Sequence, residues 1–129
     1  NIIILSADSE SSLISEAAGA AFRSQNWNVF SIGDMSSSID VLFDLELRKL
    51  LSKTWKSKEG VMIILVSSKT EEGLKFISDS FYSVKEKSEN NLFIILSGKT
   101  GKKVKIKGDL STSKLEDILQ WSNTKYENL

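Results

Sequence analysis

The 129-residue sequence contains no cysteine, no histidine and no proline. Each absence removes a class of chemistry. Without cysteine there is no disulfide framework, no zinc–thiolate site and no thiol nucleophile. Without histidine there is no Ser-His-Asp triad, no imidazole proton shuttle and no histidine metal ligand. A catalytic site would have to rest on carboxylate, lysine, tyrosine or hydroxyl groups. No hydrophobic run is long enough for a membrane span; Ile2-Ile3-Ile4-Leu5 is also too short for a signal h-region. Net charge is zero, so no global field points to nucleic acid or a membrane surface.

What is present is a globular composition, 40% hydrophobic and 26% charged, at the size of a single domain spanning 1–129. The chain starts at Asn1, which predicts a domain excised from a longer protein. The first 50 residues hold seven acids against three bases, so the remainder is correspondingly basic. Ordinary solvated faces account for an asymmetry of this size.

Apolar runs alternate with helix-period segments. Ile2 to Leu5, Trp27 to Ile32, Val61 to Val66 and Leu92 to Leu96 read as strands, the first, third and fourth as continuous runs typical of strands buried on both faces. Between them, Ser9 to Ser24, Ser38 to Thr54 and Thr70 to about Glu86 have helical period. In the first helix, Leu13-Ala17-Ala21 and Ile14-Ala18-Phe22 form adjoining apolar rows, and its alanines allow close packing on a sheet. Thr70 suits an N-cap, with Glu71 and Glu72 in the first turn. Ser113 and Glu116 match a capping box opening a last helix that buries Leu115, Ile118 and Leu119 and frays after Trp121.

Ser97-Gly98-Lys99-Thr100-Gly101 is too short for a crossover helix, which predicts that Lys103 to Lys107 returns as an antiparallel edge strand. The expected fold is a three-layer α/β/α flavodoxin-like sandwich of about five strands, mostly parallel with that one antiparallel edge. A fully parallel flavodoxin-like sheet is the alternative.

In open α/β sheets, ligands bind beyond the carboxyl ends of the strands. Here those loops hold Ser6, Asp8, Ser9, Ser11 and Ser12, then Gly33, Asp34 and Ser36 to Ser38, then Ser67, Ser68 and Lys69, then Ser97 to Gly101. The hydroxyls could cradle a small polar ligand, or serve only as caps and turn formers. The first loop lacks glycine, and Asp8 and Glu10 would repel a flavin phosphate. Gly98-Lys99-Thr100 matches the end of a P-loop, but the upstream glycine is missing and no helix follows. No cofactor and no metal site are expected; Asp40 and Asp44, and Glu71 and Glu72, read as helix-surface charges. Lys99, Lys102, Lys103, Lys105 and Lys107 form the notable basic patch. They read as protection of a sheet edge or as a contact for phosphate backbone, although no stacking aromatics interleave with them. Trp27, Trp55, Trp121, Phe76 and Tyr82 fall partly outside the inner stripes. They are either packed at element ends or exposed contact anchors.

A strand ending in Leu5-Ser6-Ala7-Asp8 before a helix of about fifteen residues resembles the first box of SEFIR domains and, more loosely, of TIR domains. The second strand closing at Asp34, and the leucine-rich helix followed by an apolar strand ending at Ser67, are similar to the same group. The resemblance covers about the first 70 residues. Leu5 stands where the family has an aromatic residue. NAD-cleaving TIR enzymes use a glutamate on the third helix near a Trp-Cys pair, where this chain has Leu74-Lys75-Phe76-Ile77-Ser78. The resemblance therefore implies a non-catalytic, cytoplasmic signalling or assembly module that binds a protein partner such as a like domain. Its contacts would fall at Gly33, Asp34, Met35, Ser36, Phe76 and Tyr82. The alternative is an RNA-contacting accessory domain resembling anticodon-binding domains, with the lysine edge as the contact. A membrane partner is not expected.

Overall fold

A computed structural model describes residues 1–35, 43–56, 59–85, 90–98 and 106–127. Among these residues five parallel strands form one sheet: β1 (Ile2–Ser6), β2 (Val29–Asp34), β3 (Met62–Ser67), β4 (Leu92–Ser97) and β5 (Leu110–Ser111). Their order is β2-β1-β3-β4-β5, the flavodoxin-like arrangement. Among the described residues four α-helices cover the two faces: α1 (Ser12–Ser24), α2 (Phe43–Thr54), α3 (Glu71–Val84) and α4 (Leu115–Glu127). No helix among the described residues is long and apolar enough to cross a membrane.

The period-two alternation of strand side chains divides the core. Ile3, Leu5, Met62, Ile64, Val66, Leu92, Ile94 and Leu96 point to the side where Phe43 and Leu47 of α2 and Leu74, Ile77 and Phe81 of α3 pack. Ile2, Ile4, Ile63, Leu65 and Ile95 point the other way, towards Ala18 and Phe22 of α1 and Ile118 of α4. β3 lies at the centre of the sheet and all six of its residues are buried, as its uninterrupted apolar run requires. Full burial of each large apolar side chain contributes about 1.5–3 kcal/mol. That gain offsets the cost of burying the hydroxyls of Ser15, Ser67 and Ser122, which find no partner among the described residues.

The structure revises four expectations. First, the edge strand is β5, parallel to β4, rather than an antiparallel Lys103–Lys107. Ile106 and Lys107 carry no strand pairing, and Lys103 to Lys105 lie outside the described residues. Residues 98–109 separate β4 from β5, enough chain for a parallel return. That return passes α3, where the Ser78 hydroxyl donates to the Lys107 carbonyl, before Asp109 joins β4. There the Asp109 carboxylate accepts from the Ile94 N–H at 2.8 Å, and the Asp109 N–H donates to the Ile94 carbonyl at 3.0 Å.

Second, β2 starts at Val29, not Trp27, because the chain spends Gln25 to Trp27 closing α1. Asn26 adopts a left-handed φ of 65°. The Trp27 N–H donates to the Phe22 carbonyl and the Asn26 N–H to the Arg23 carbonyl, each at 3.1 Å. This is a Schellman motif with Asn at the left-handed position, and its usual hydrophobic contact is the edge-on Phe22–Trp27 pair, 5.3 Å between centroids.

Third, α1 buries Ser15, Ala18, Gly19 and Phe22 and turns Leu13 and Ile14 outward. The small residues do bring the helix close, but at Gly19, where a Cβ would lie 3.4 Å from the Ser31 hydroxyl and 3.7 Å from Ile4.

Fourth, α4 runs beyond Trp121 to Glu127. Its last turns are tied down by the Trp27 indole donating to Asn123 at 3.0 Å and by the Trp27–Tyr126 ring contact. At its start the Thr112 hydroxyl accepts from the Lys114 N–H and donates to Asp117, in place of the Ser113–Glu116 box.

Candidate functional site

The strand order reverses between β1 and β3, and the crevice beyond their carboxyl ends is where this architecture places ligands. Here the crevice holds one of the protein's own carboxylates. β1 ends at Ser6, and Asp8 takes an extended backbone before a short 3-10 turn, Ser9–Ser11, leads into α1. Asp8 caps that turn: its Oδ1 accepts from the Ser11 N–H at 2.8 Å. Its Oδ2 reaches across to the loop after β3, accepting from the Lys69 N–H at 2.8 Å and the Ser68 hydroxyl at 3.1 Å. The donors that would greet an anion at a helix start or loop nest are thus directed at Asp8.

Burial of Asp8 pushes its pKa up. The hydrogen bonds from the Lys69 backbone, Ser11 and Ser68 outweigh that and hold it below the ordinary carboxylate value. A carboxylate so stabilised is a poor general base at neutral pH. Glu10 adds an ion pair to Lys69 at 2.7 Å, with both side chains largely exposed and solvent-screened.

The surrounding backbone is drawn equally tight. Ala7 donates to the Ser67 carbonyl, Ser68 to the Ser97 carbonyl and Met35 to the Ser6 carbonyl, extending the ladder past the strand ends. Thr70 caps α3 by accepting from the Gly73 N–H at 3.1 Å, as its sequence position implies. Gly73 fits only as glycine, since a Cβ there would lie 2.6 Å from the Ser68 hydroxyl oxygen. Gly98, the glycine of the P-loop-like stretch, sits with φ 150° against the Ser68 carbonyl. Its role is close packing of the β3 and β4 loops. Lys99 and Thr100 lie outside the described residues.

The depressed Asp8 pKa has a testable sign. A carboxylate with a lowered folded pKa stabilises the fold above its unfolded value of about 3.9, and that contribution is lost as pH falls through the folded value. Asp8→Asn loses the charge-assisted bonds, so wild type should exceed the variant by about 1–3 kcal/mol at pH 7. Urea melts from pH 7 to pH 2 should show the gap closing below about pH 4. A gap that stays constant with pH would contradict the assignment.

Comparison with protein-family models, with curated proteins and with solved structures finds no match for this chain.

The residues anticipated as contacts are scattered. Gly33 and Met35 lie at the carboxyl end of the outer strand β2, where Gly33 takes φ 84° and accepts from the Ser6 hydroxyl at 3.2 Å. The backbone of Asp34 pairs with Ser6, and Ser36 lies outside the described residues. Phe76 and Tyr82 are on α3, half-buried, and engaged with their neighbours: Phe76 with Phe43 at 5.5 Å, Tyr82 with Phe81 at 4.9 Å. Of the basic patch, Lys99, Lys102, Lys103 and Lys105 lie outside the described residues, and the Lys107 ammonium sits 4.3 Å from the Tyr82 ring centroid. Trp55 is buried, with its indole N–H donating to the Glu59 carbonyl. Among the described residues no group of three or more acidic side chains is placed to hold a metal.

Sequence reasoning missed the outward apolar pair at the start of α1. Leu13 is 75% exposed and Ile14 53%. The signal was the row of small residues Ser15, Ala18 and Gly19, which form the buried face of the helix with Phe22.

Proposed function

We propose that this domain is a non-catalytic protein-interaction module that associates with a like domain through its β2 side. The observation that carries the reading is the exposed Leu13–Ile14 pair. These two large side chains project from the first turn of α1, the helix packed beside β2. Ile32, on the outer strand itself, is also 37% exposed. Single exposed apolar residues are ordinary, but adjacent ones beside an outer strand mark contact surfaces. Gly33 is exposed on the same strand, and Met35 follows it, half-buried against the α2–α3 side of the core. The internally satisfied Asp8 crevice supports the non-catalytic half of the reading, because its donors are spent on stapling β1 to β3. The likeness of the Leu5-Ser6-Ala7-Asp8 turn to SEFIR and TIR domains agrees with it.

Sedimentation velocity over a concentration series tests this. Wild type should show a rising weight-average coefficient, whereas the double variant Leu13→Asp, Ile14→Asp should remain monomeric. Because both side chains are exposed, the double variant should keep its stability to within about 1 kcal/mol. A wild-type protein that stays monomeric throughout would defeat the proposal.

A further inference from the structure

A second site lies at the opposite end of the sheet, beyond the amino ends of β1, β2 and β3. A cavity of about 470 Å³ opens there, within the range of small-molecule sites. Its lining is unusual for one chemical type: Gln25, Asn26, Asn28 and Asn123 contribute carboxamides, and Trp27 and Tyr126 contribute rings. Asn1 supplies a further carboxamide, and no Asp, Glu, Lys or Arg side chain lines the cavity among the described residues.

The amides are organised. The Trp27 indole donates to Asn123 Oδ1 at 3.0 Å, and Asn123 Nδ2 donates to Gln25 Oε1 at 2.7 Å. Asn28 Nδ2 donates to Asn1 Oδ1 at 3.0 Å. Among the described residues these bonds leave Gln25 Nε2, Asn28 Oδ1 and the whole Asn26 carboxamide without a protein partner. A carboxamide offers a donor and an acceptor side by side, which matches neighbouring hydroxyls on one molecule. The rings of Trp27 and Tyr126, 5.9 Å apart and inclined at 53°, form a wedge, and Tyr126 is 61% exposed. An aromatic face presents apolar area beside a polar tip, as the C–H face of a sugar ring requires. No lining side chain offers a counter-ion to a phosphate or an amine, and the Asn1 ammonium donates to the Val61 carbonyl at 3.0 Å.

We propose that this cavity binds a neutral saccharide of one or two residues, with the free amides bonding its hydroxyls and Tyr126 covering its ring face. The cavity lies at the amino end of β2, whereas Leu13, Ile14, Ile32 and Gly33 are not among its lining residues, so the two proposals rest on different side chains.

Two variants separate binding from folding. Asn26→Gly keeps the left-handed position that closes α1, where glycine is the favoured residue, while deleting the free carboxamide. Tyr126→Ala removes an exposed ring. Nitrogen-15 NMR titration uses glucose, N-acetylglucosamine, cellobiose and chitobiose as probes, with uridine as an uncharged aromatic comparison. At least one saccharide should give saturable shifts of the Trp27 indole and the Asn26 and Asn123 side-chain amides. Each variant should bind it about tenfold more weakly, with the melting temperature unchanged in Asn26→Gly and lowered by no more than about 5 °C in Tyr126→Ala, which gives up one ring contact. Failure of all four sugars to saturate, wild-type affinity in both variants, or uridine binding tighter than every sugar would each overturn the proposal.

Discussion

Gly98→Ala should destabilise the domain by about 3–5 kcal/mol, as strain at positive φ and overpacking of a closed contact act together. A Cβ at position 98 would lie 2.2 Å from the Ser68 carbonyl oxygen, and that oxygen belongs to backbone that cannot rotate aside. Ser68 is itself fixed on three sides: its N–H donates to Ser97, its hydroxyl donates to Asp8, and the same oxygen accepts from the Thr70 N–H. Relief of the clash would require separating the loops after β3 and β4, and with them the Asp8 staple. The melting temperature should fall by roughly 10–20 °C. Gly33→Ala supplies the comparison. Gly33 also has positive φ, but nothing lies within 4 Å of its Cβ direction, so only the conformational cost of about 1–2 kcal/mol applies. If the two substitutions cost the same, close packing at Gly98 is not what holds the crevice shut.

Phe22→Ala should cost about 3–5 kcal/mol, the range for deleting a buried aromatic side chain. Phe22 is fully buried in the layer between the sheet, α1 and α4, and it is also the residue whose carbonyl accepts the Trp27 N–H in the helix-closing motif. Its ring meets Trp27 edge-on, and Trp27 in turn contacts Tyr126 and bonds Asn123. One deletion therefore opens a cavity, loosens the end of α1 and frees the last turns of α4. A double-mutant cycle with Trp27→Ala in denaturant melts should show a coupling of about 0.5–1.5 kcal/mol between the two rings. Additive effects would mean that the rings do not support one another.

The sequence reveals those parts of the molecule that a single burial pattern decides. Ile2 to Leu5, Val61 to Val66 and Leu92 to Leu96 can only be strands covered on both faces, and the Thr70 cap is local chemistry that the structure repeats. Other parts depend on contacts distant in sequence. β5 is only two residues long and is defined by what Asp109 bonds on β4, so no run of its own announces it. The lysines drew attention to the wrong stretch. α1 buries Ser15, Ala18 and Gly19 rather than the more hydrophobic Leu13 and Ile14, because its small residues let it approach Ile4 and Ser31 closely, a fit decided by the sheet and not by the helix. Asn26 was the one local sign that α1 extends its closing turn into the apparent start of β2. At the crevice, the repulsion of phosphate by Asp8 was legible, but the bonds from Lys69 and Ser68 that hold it were not. The amide cavity joins residues 25–28 to residue 123, a proximity that only the completed fold creates.

The central claim is that Asp8 occupies the anion position of the β1–β3 crevice. The most direct measurement follows the Ser11 and Lys69 backbone amide resonances by NMR, first against pH and then against inorganic phosphate and flavin mononucleotide at neutral pH. Both amides should titrate together, with a midpoint below the ordinary aspartate value, and should not respond to either anion. Saturable shifts of these two amides on adding phosphate or the flavin would show that the position is open to a ligand and would contradict the account.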